Sequence, residues 1–168
     1  MRRYALGLLT VALAASGSVA AASVTVRPVA GKRFSGTGAD YENDGPGGAW
    51  KKDAVGRFSF RTSRDATQLR GFRGTYSYYC GNGTATVTAR YLIVSRSGRF
   101  DYRFPFREKY GTAYVEIKGA FQRGGRRATV SYLVDFVAKG QTVRHPYATS
   151  HPRTLGCASW VRGVAKVG

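Results

Sequence analysis

Residues 111–138, GTAYVEIKGAFQRGGRRATVSYLVDFVA, hold two alternating runs either side of a glycine pair. Gly124-Gly125 predicts a two-residue hairpin loop that pairs Arg123 with Arg126. The register then places Phe121 opposite Ala128, Ile117 opposite Tyr132, Val115 opposite Val134 and Ala113 opposite Phe136, so one face is apolar throughout. The other face sets Tyr114 against Asp135, Glu116 against Leu133 and Lys118 against Ser131, as a solvent side requires. The preceding run alternates Phe100, Tyr102, Phe104 and Phe106, and a slip of one residue would turn all four to water. Pairing Phe104 with Val115 and Tyr102 with Ile117 keeps them inside, and it also brings Arg103 opposite Glu116 and Asp101 opposite Lys118.

Upstream, Asn82-Gly83 predicts a second two-residue turn, with Cys80 opposite Ala85, Tyr78 opposite Val87, Tyr76 opposite Ala89 and Phe72 opposite Ile93. Helical periodicity is absent after residue 22. Turn residues recur about every ten positions, the pattern of an all-β chain. Strands are expected over 24–29, 32–38, 55–62, 67–80, 84–94, 99–106, 112–123, 126–138 and 156–162. Several hairpins with one apolar face close most economically as a two-sheet antiparallel β-sandwich, jelly-roll or immunoglobulin-like, with a closed β-barrel as the alternative. The polar, glycine-rich interval 39–54 reads as a mobile loop.

The chain has 168 residues, 27 Lys and Arg against 9 Asp and Glu, and 43% hydrophobic residues, which is enough for one core and one domain. Residues 1–22 carry Arg2-Arg3, a short apolar run from Leu6 to Ala15 and a small-residue stretch ending Ala20-Ala21-Ala22, the layout of a secretory signal peptide. The expected mature domain is therefore 23–168, secreted and extracellular. Its net charge falls from +18 only to +16 when Arg2 and Arg3 leave. In an oxidising compartment the two cysteines, Cys80 and Cys157, are expected to form a disulfide. A zinc site using His145 and His151 would need four ligands at compatible spacing, which the sequence does not offer.

Gly98-Arg99-Phe100, then Gly111, Tyr114 and Gly119-Ala120-Phe121, and finally Cys157 three residues before Trp160 resemble a pattern in uncharacterised secreted β-rich proteins of high-GC Gram-positive bacteria. There a mid-chain Cys precedes a Gly-Arg-Phe turn, a Gly-x-Phe strand follows, and Cys and Trp close the domain. The resemblance covers roughly residues 55–162. It implies a disulfide-linked β-sandwich and no activity.

Motifs for chemistry are weak. Asp40, Glu42, Asp44 and Gly45 open like a calcium loop, but Lys51 occupies the closing position where a bidentate Glu is required. Glu116 and Asp135 lie about 7 Å apart on a diagonal, a spacing near that of two-carboxylate glycoside hydrolysis, yet Arg103 facing Glu116 opposes the raised pKa of a general acid. No Gly-x-Ser-x-Gly elbow occurs. Trp50 beside Lys51-Lys52, and Tyr110 beside Arg107 and Lys109, are places where a base or sugar would stack near a cation. Basic clusters recur at Arg57, Arg61 and Arg64, at Arg70 and Arg73, at Arg103, Arg107 and Lys109, and at Arg123, Arg126 and Arg127. The expectation is a non-catalytic secreted module without metal or cofactor that contacts an anionic polymer: a wall polyphosphate, an acidic glycan or a nucleic acid. The alternative is a glycan-directed hydrolase or lectin.

Overall fold

A computed structural model describes residues 25–43, 48–77, 83–141 and 157–168. Eight strands follow in order: β1 (Arg33–Asn43), β2 (Lys51–Thr62), β3 (Gln68–Ser77), β4 (Thr84–Ile93), β5 (Arg99–Glu108), β6 (Gly111–Phe121), β7 (Arg127–Ala138) and β8 (Cys157–Val167). All belong to one antiparallel sheet, ordered β4-β3-β2-β1-β8-β7-β6-β5. The chain is thus all-β, and its single sheet curls into a nearly closed barrel, with the edge strands β4 and β5 in contact. The two-sheet sandwich does not form as separate sheets, because β1 and β8 pair along their whole length from Phe34–Val167 to Asn43–Ala158. That ladder joins two four-stranded meanders, β1–β4 and β5–β8. Among the described residues no helix is long and apolar enough to cross a membrane.

The β6–β7 ladder has the register expected from its sequence, including Phe121–Ala128, Ile117–Tyr132 and Val115–Val134. The β5–β6 ladder likewise pairs Arg103 with Glu116 and Phe104 with Val115. The turn between β6 and β7 is wider than two residues: Gly125 N–H donates to Gln122 C=O, and Gln122 N–H to Arg127 C=O. Symmetric widening leaves the pairing unchanged.

In the β3–β4 hairpin the structure corrects the expected register. Tyr76 lies opposite Ala85, Gly74 opposite Val87 and Phe72 opposite Ala89, four positions from the pairing that an Asn82-Gly83 two-residue turn would set. That register does not centre the turn on Asn82-Gly83, and residues 78–82, Cys80 among them, lie outside the described residues. An even slip preserves the side-chain faces, so Phe72, Tyr76 and Val87 still point inward and are buried. Within β3, Gly71 adopts φ +60, a left-handed conformation suited to glycine, and the alternation shifts by one residue there.

Two further expectations change. Residues 25–29 form no strand. They run across one end of the barrel, where Val26 N–H donates to Arg96 C=O and Val29 N–H to Gly125 C=O, and Val26 packs on the core. The interval 39–54 is mostly strand, with β1 continuing to Asn43 and β2 starting at Lys51.

An eight-stranded barrel has an interior just wide enough for side chains. At the end bearing the 63–67, 94–98 and 122–126 turns it is filled by Phe34, Phe60, Phe72, Phe100 and Phe121. Phe34 stacks on Phe60 at 5.2 Å and meets Phe121 edge-on at 5.4 Å. Mid-barrel, Tyr132 crosses from β7 to β3, and its hydroxyl donates to Thr75 C=O. A Cβ at position 74 would sit 2.8 Å from the Tyr132 ring, so Gly74 provides the space for that crossing.

Candidate polyanion-binding face

Outward-facing residues of adjacent strands form rows across the sheet. In one row Arg33 of β1 is opposite Arg61 of β2, and Arg61 is opposite Arg70 of β3. Neighbouring strands are about 4.8 Å apart, so three guanidinium stems rise within roughly 10 Å. Arg70 in turn faces Tyr91 of β4, which is half exposed. The next row runs Thr88, Arg73, Ser59, Ser35, Lys166 and Arg127. A third sets Arg57 beside Thr37, with Arg57 N–H donating to Thr75 Oγ1 at 2.9 Å. Arg33, Arg57, Arg61, Arg70, Arg73, Arg127 and Lys166 are all exposed. A shallow groove of about 570 Å³ runs among Arg33, Ser35, Thr37, Arg57, Ser59 and Arg73.

No carboxylate stands in these rows. Ion pairs between described residues occur on β5 and β6 only. Arg103 Nε lies 2.6 Å from Glu116 and 3.5 Å from Asp101, and Lys118 Nζ lies 2.6 Å from Glu116. Asp65, in the turn after β2, is held by its own turn: Ser63 and Thr67 hydroxyls donate to it, and these bonds pull its pKa down to about 2.

The sequence-derived candidates therefore separate. Arg103 is engaged with Asp101 and Glu116. Arg107 and Lys109 lie at the opposite end of the barrel, where Lys109 Nζ sits 5.0 Å over the Tyr110 ring. Arg123, Arg126 and Arg127 stand at the β6–β7 turn, at the same end as Arg33, Arg61 and Arg70. Sequence reasoning found Arg57 with Arg61 and Arg70 with Arg73, but it missed Arg33 and Lys166. Only the β1–β2 and β1–β8 pairings bring those two alongside.

At the other end of the barrel the interior turns polar and acidic. Asp40 is buried; it accepts the Ser159 hydroxyl at 2.6 Å and the Ser77 N–H at 2.6 Å. The Ser77 hydroxyl donates to Asp53 at 3.2 Å. Glu42 is pushed above the usual carboxylate range by burial first, then by its neighbours Asp53 and Asp40. Tyr132 is raised above the phenol range by burial and by Asp40. Among the described residues no group of His, Cys, Asp or Glu is placed to hold a metal ion. Asp44 and Gly45, His145 and His151 lie outside the described residues, as do residues 1–22, where a signal peptide is expected. Glu116 and Asp135 keep their diagonal placement, but Glu116 is ion-paired and Asp135 is buried. Cys157 opens β8 and is not a free thiol.

No family model, curated protein or solved structure matches the chain.

Proposed function

We propose that the protein is a secreted, non-catalytic β-barrel module that binds anionic polymers through the outer face of β1–β3 and its continuation onto β8 and β7. The observation that carries this reading is the Arg33–Arg61–Arg70 row. Like charges directly opposite in a sheet destabilise it, and charge needed only for solubility is interspersed with acids, as on β5 and β6. A carboxylate-free field of guanidinium groups and hydroxyls suits phosphate or carboxylate oxygens, which Arg grips with paired N–H donors. The same reading includes a disulfide between Cys157 and Cys80. Two free thiols on titrating the unfolded, unreduced protein would exclude that bond.

The test is retention on immobilised polyphosphate or heparin as a function of salt. Log affinity is expected to fall linearly with log salt, with a slope of about −0.7 to −0.9 per neutralised phosphate. The double variant Arg61→Ser, Arg70→Ser is expected to reduce that slope by roughly one to two, with unchanged melting. No retention at low salt, or retention indifferent to salt, would refute the proposal.

A further inference from the structure

On the outer face of β8 a second feature stands apart from the arginine row. Trp160 is half-buried, and its indole N–H donates to Ser131 Oγ at 2.7 Å. Tyr41 of β1 flanks it at 5.9 Å, and Trp50 meets it edge-on at 5.7 Å. The Arg162 guanidinium carbon lies 4.6 Å from the Trp160 ring centroid. Beside this stack is a groove of about 510 Å³, lined by Tyr41, Thr129, Ser131, Arg162, Gly163 and Val164.

The chemistry of these parts is specific. Stacking uses the face of a guanidinium and leaves its in-plane N–H donors free. Arg162 is therefore held in position without a carboxylate partner among the described residues, its donor fork still available. Ser131 accepts the indole N–H with its oxygen, so its own O–H remains to donate outward. Thr129, exposed on the neighbouring row, adds a second hydroxyl, although it also reaches Ala120 C=O at 3.3 Å. Tyr41 supplies an aromatic wall. A preset cation, hydroxyl donors and an aromatic surface around one open groove match a ring that bears a carboxylate, several hydroxyls and an apolar C–H face.

We infer that this groove is a binding site for a carboxylated sugar, a uronic acid residue within an acidic glycan. Arg162 takes the carboxylate with two N–H bonds, Ser131 and Thr129 take ring hydroxyls, and Tyr41 packs on the C–H face. The inference rests on the proposed polyanion binding in that it selects an acidic glycan as the polymer, but it uses none of the Arg33–Arg61–Arg70 row.

The chain's two tryptophans, Trp50 and Trp160, touch each other beside the groove, so intrinsic fluorescence reports on it directly. Titration with oligogalacturonate is expected to give a saturable fluorescence change, and its methyl ester, which lacks the charge, is expected to give none. Arg162→Gln is expected to weaken oligogalacturonate at least tenfold. Arg162→Lys, which keeps the charge and loses the planar fork, is expected to recover little of it. Arg162 is exposed, and unchanged melting of each variant would establish that the fold is intact. Equal binding of the methyl ester, or unaltered affinity in Arg162→Gln, would overturn the site. A saturable change with single-stranded DNA that Arg162→Gln abolishes would overturn the sugar assignment. The Arg61→Ser, Arg70→Ser variant separates the two readings: a lowered salt slope on polyphosphate with the uronate titration intact sustains both, whereas an unchanged slope with the uronate titration intact sustains the groove and refutes the arginine face.

Discussion

The two ends of the barrel solve the problem of filling the same cylinder in opposite ways. At the end with the 63–67, 94–98 and 122–126 turns, five phenylalanines pack ring against ring, and the charges, nearly all basic, stay outside. At the other end carboxylates enter the interior or its mouth, and backbone N–H groups and hydroxyls from distant strands meet them. The first end gains from apolar burial, which needs no exact partner. The second depends on satisfied hydrogen bonds, whose loss costs more than their formation contributes. In a chain this basic, drawing Asp40, Glu42 and Asp53 together at one end also strips the other of counter-charge. The cationic face and the acidic interior are thus two aspects of one distribution.

The contrast predicts different responses to truncation. The largest effect is expected at the aromatic end. Phe72 is fully buried between Phe60 at 6.4 Å and Tyr132 at 5.7 Å, so Phe72→Ala should cost about 3–5 kcal/mol in urea unfolding. A loss below about 1 kcal/mol would mean that the phenylalanine layer does not hold this end together. Asp40→Ala is expected to cost less, about 1–3 kcal/mol, through the Ser77 N–H and Ser159 hydroxyl left unpaired. Ser159→Ala in the Asp40→Ala background should then add little further loss, a non-additivity that a double-mutant cycle reads directly.

The smallest effect is the one that depends on pH. The Glu42 carboxyl titrates above its unfolded value, so its contribution to stability is greatest below the ordinary glutamate value near 4.5 and is lost as pH rises through the folded pKa. Glu42→Gln is therefore expected to raise the melting temperature at pH 7 and to leave it nearly unchanged at pH 4. Asp65, at the opposite end, works the other way: its lowered pKa supports the fold above the ordinary aspartate value of 3.8 and ceases to do so as pH falls towards 2. Melting curves of Glu42→Gln and Asp65→Asn that respond to acid in the same direction would break the distinction between the ends.

Legibility in the sequence follows how local each contact is. The β5–β6–β7 meander was readable because burial of Phe104 and charge pairing of Arg103 with Glu116 select the same register. The β3–β4 hairpin was readable only to its faces. Asn82-Gly83 has strong turn chemistry, but the register of the flanking strands does not centre on it, and alternation alone cannot detect an even slip. The polar run from Asp40 looked like a loop because its partners, Ser77 and Ser159, sit 37 and 119 residues away. Sandwich and barrel share hairpins and alternation, and the pairing of first strand with last, which no local signal encodes, decides between them. The cationic face was visible as doublets on β2 and β3. Its continuity through Arg33 and Lys166 depends on that same first-to-last ladder.

That ladder also brings Gly168 beside the start of β1. Phe34 lies opposite Val167, and Gly168 N–H donates to Arg33 C=O at 3.1 Å. A short linker from Gly168 to the residues before Arg33, with the backbone opened between Ser95 and Gly98, would yield a circular permutant running β5, β6, β7, β8, β1, β2, β3, β4. Every strand in it would then pair only with its sequence neighbours. The native chain must bring residues more than a hundred positions apart into register, whereas the permutant would need only hairpins, a lower contact order that favours faster folding. In topology the protein is a plain up-and-down meander whose numbering starts in the middle.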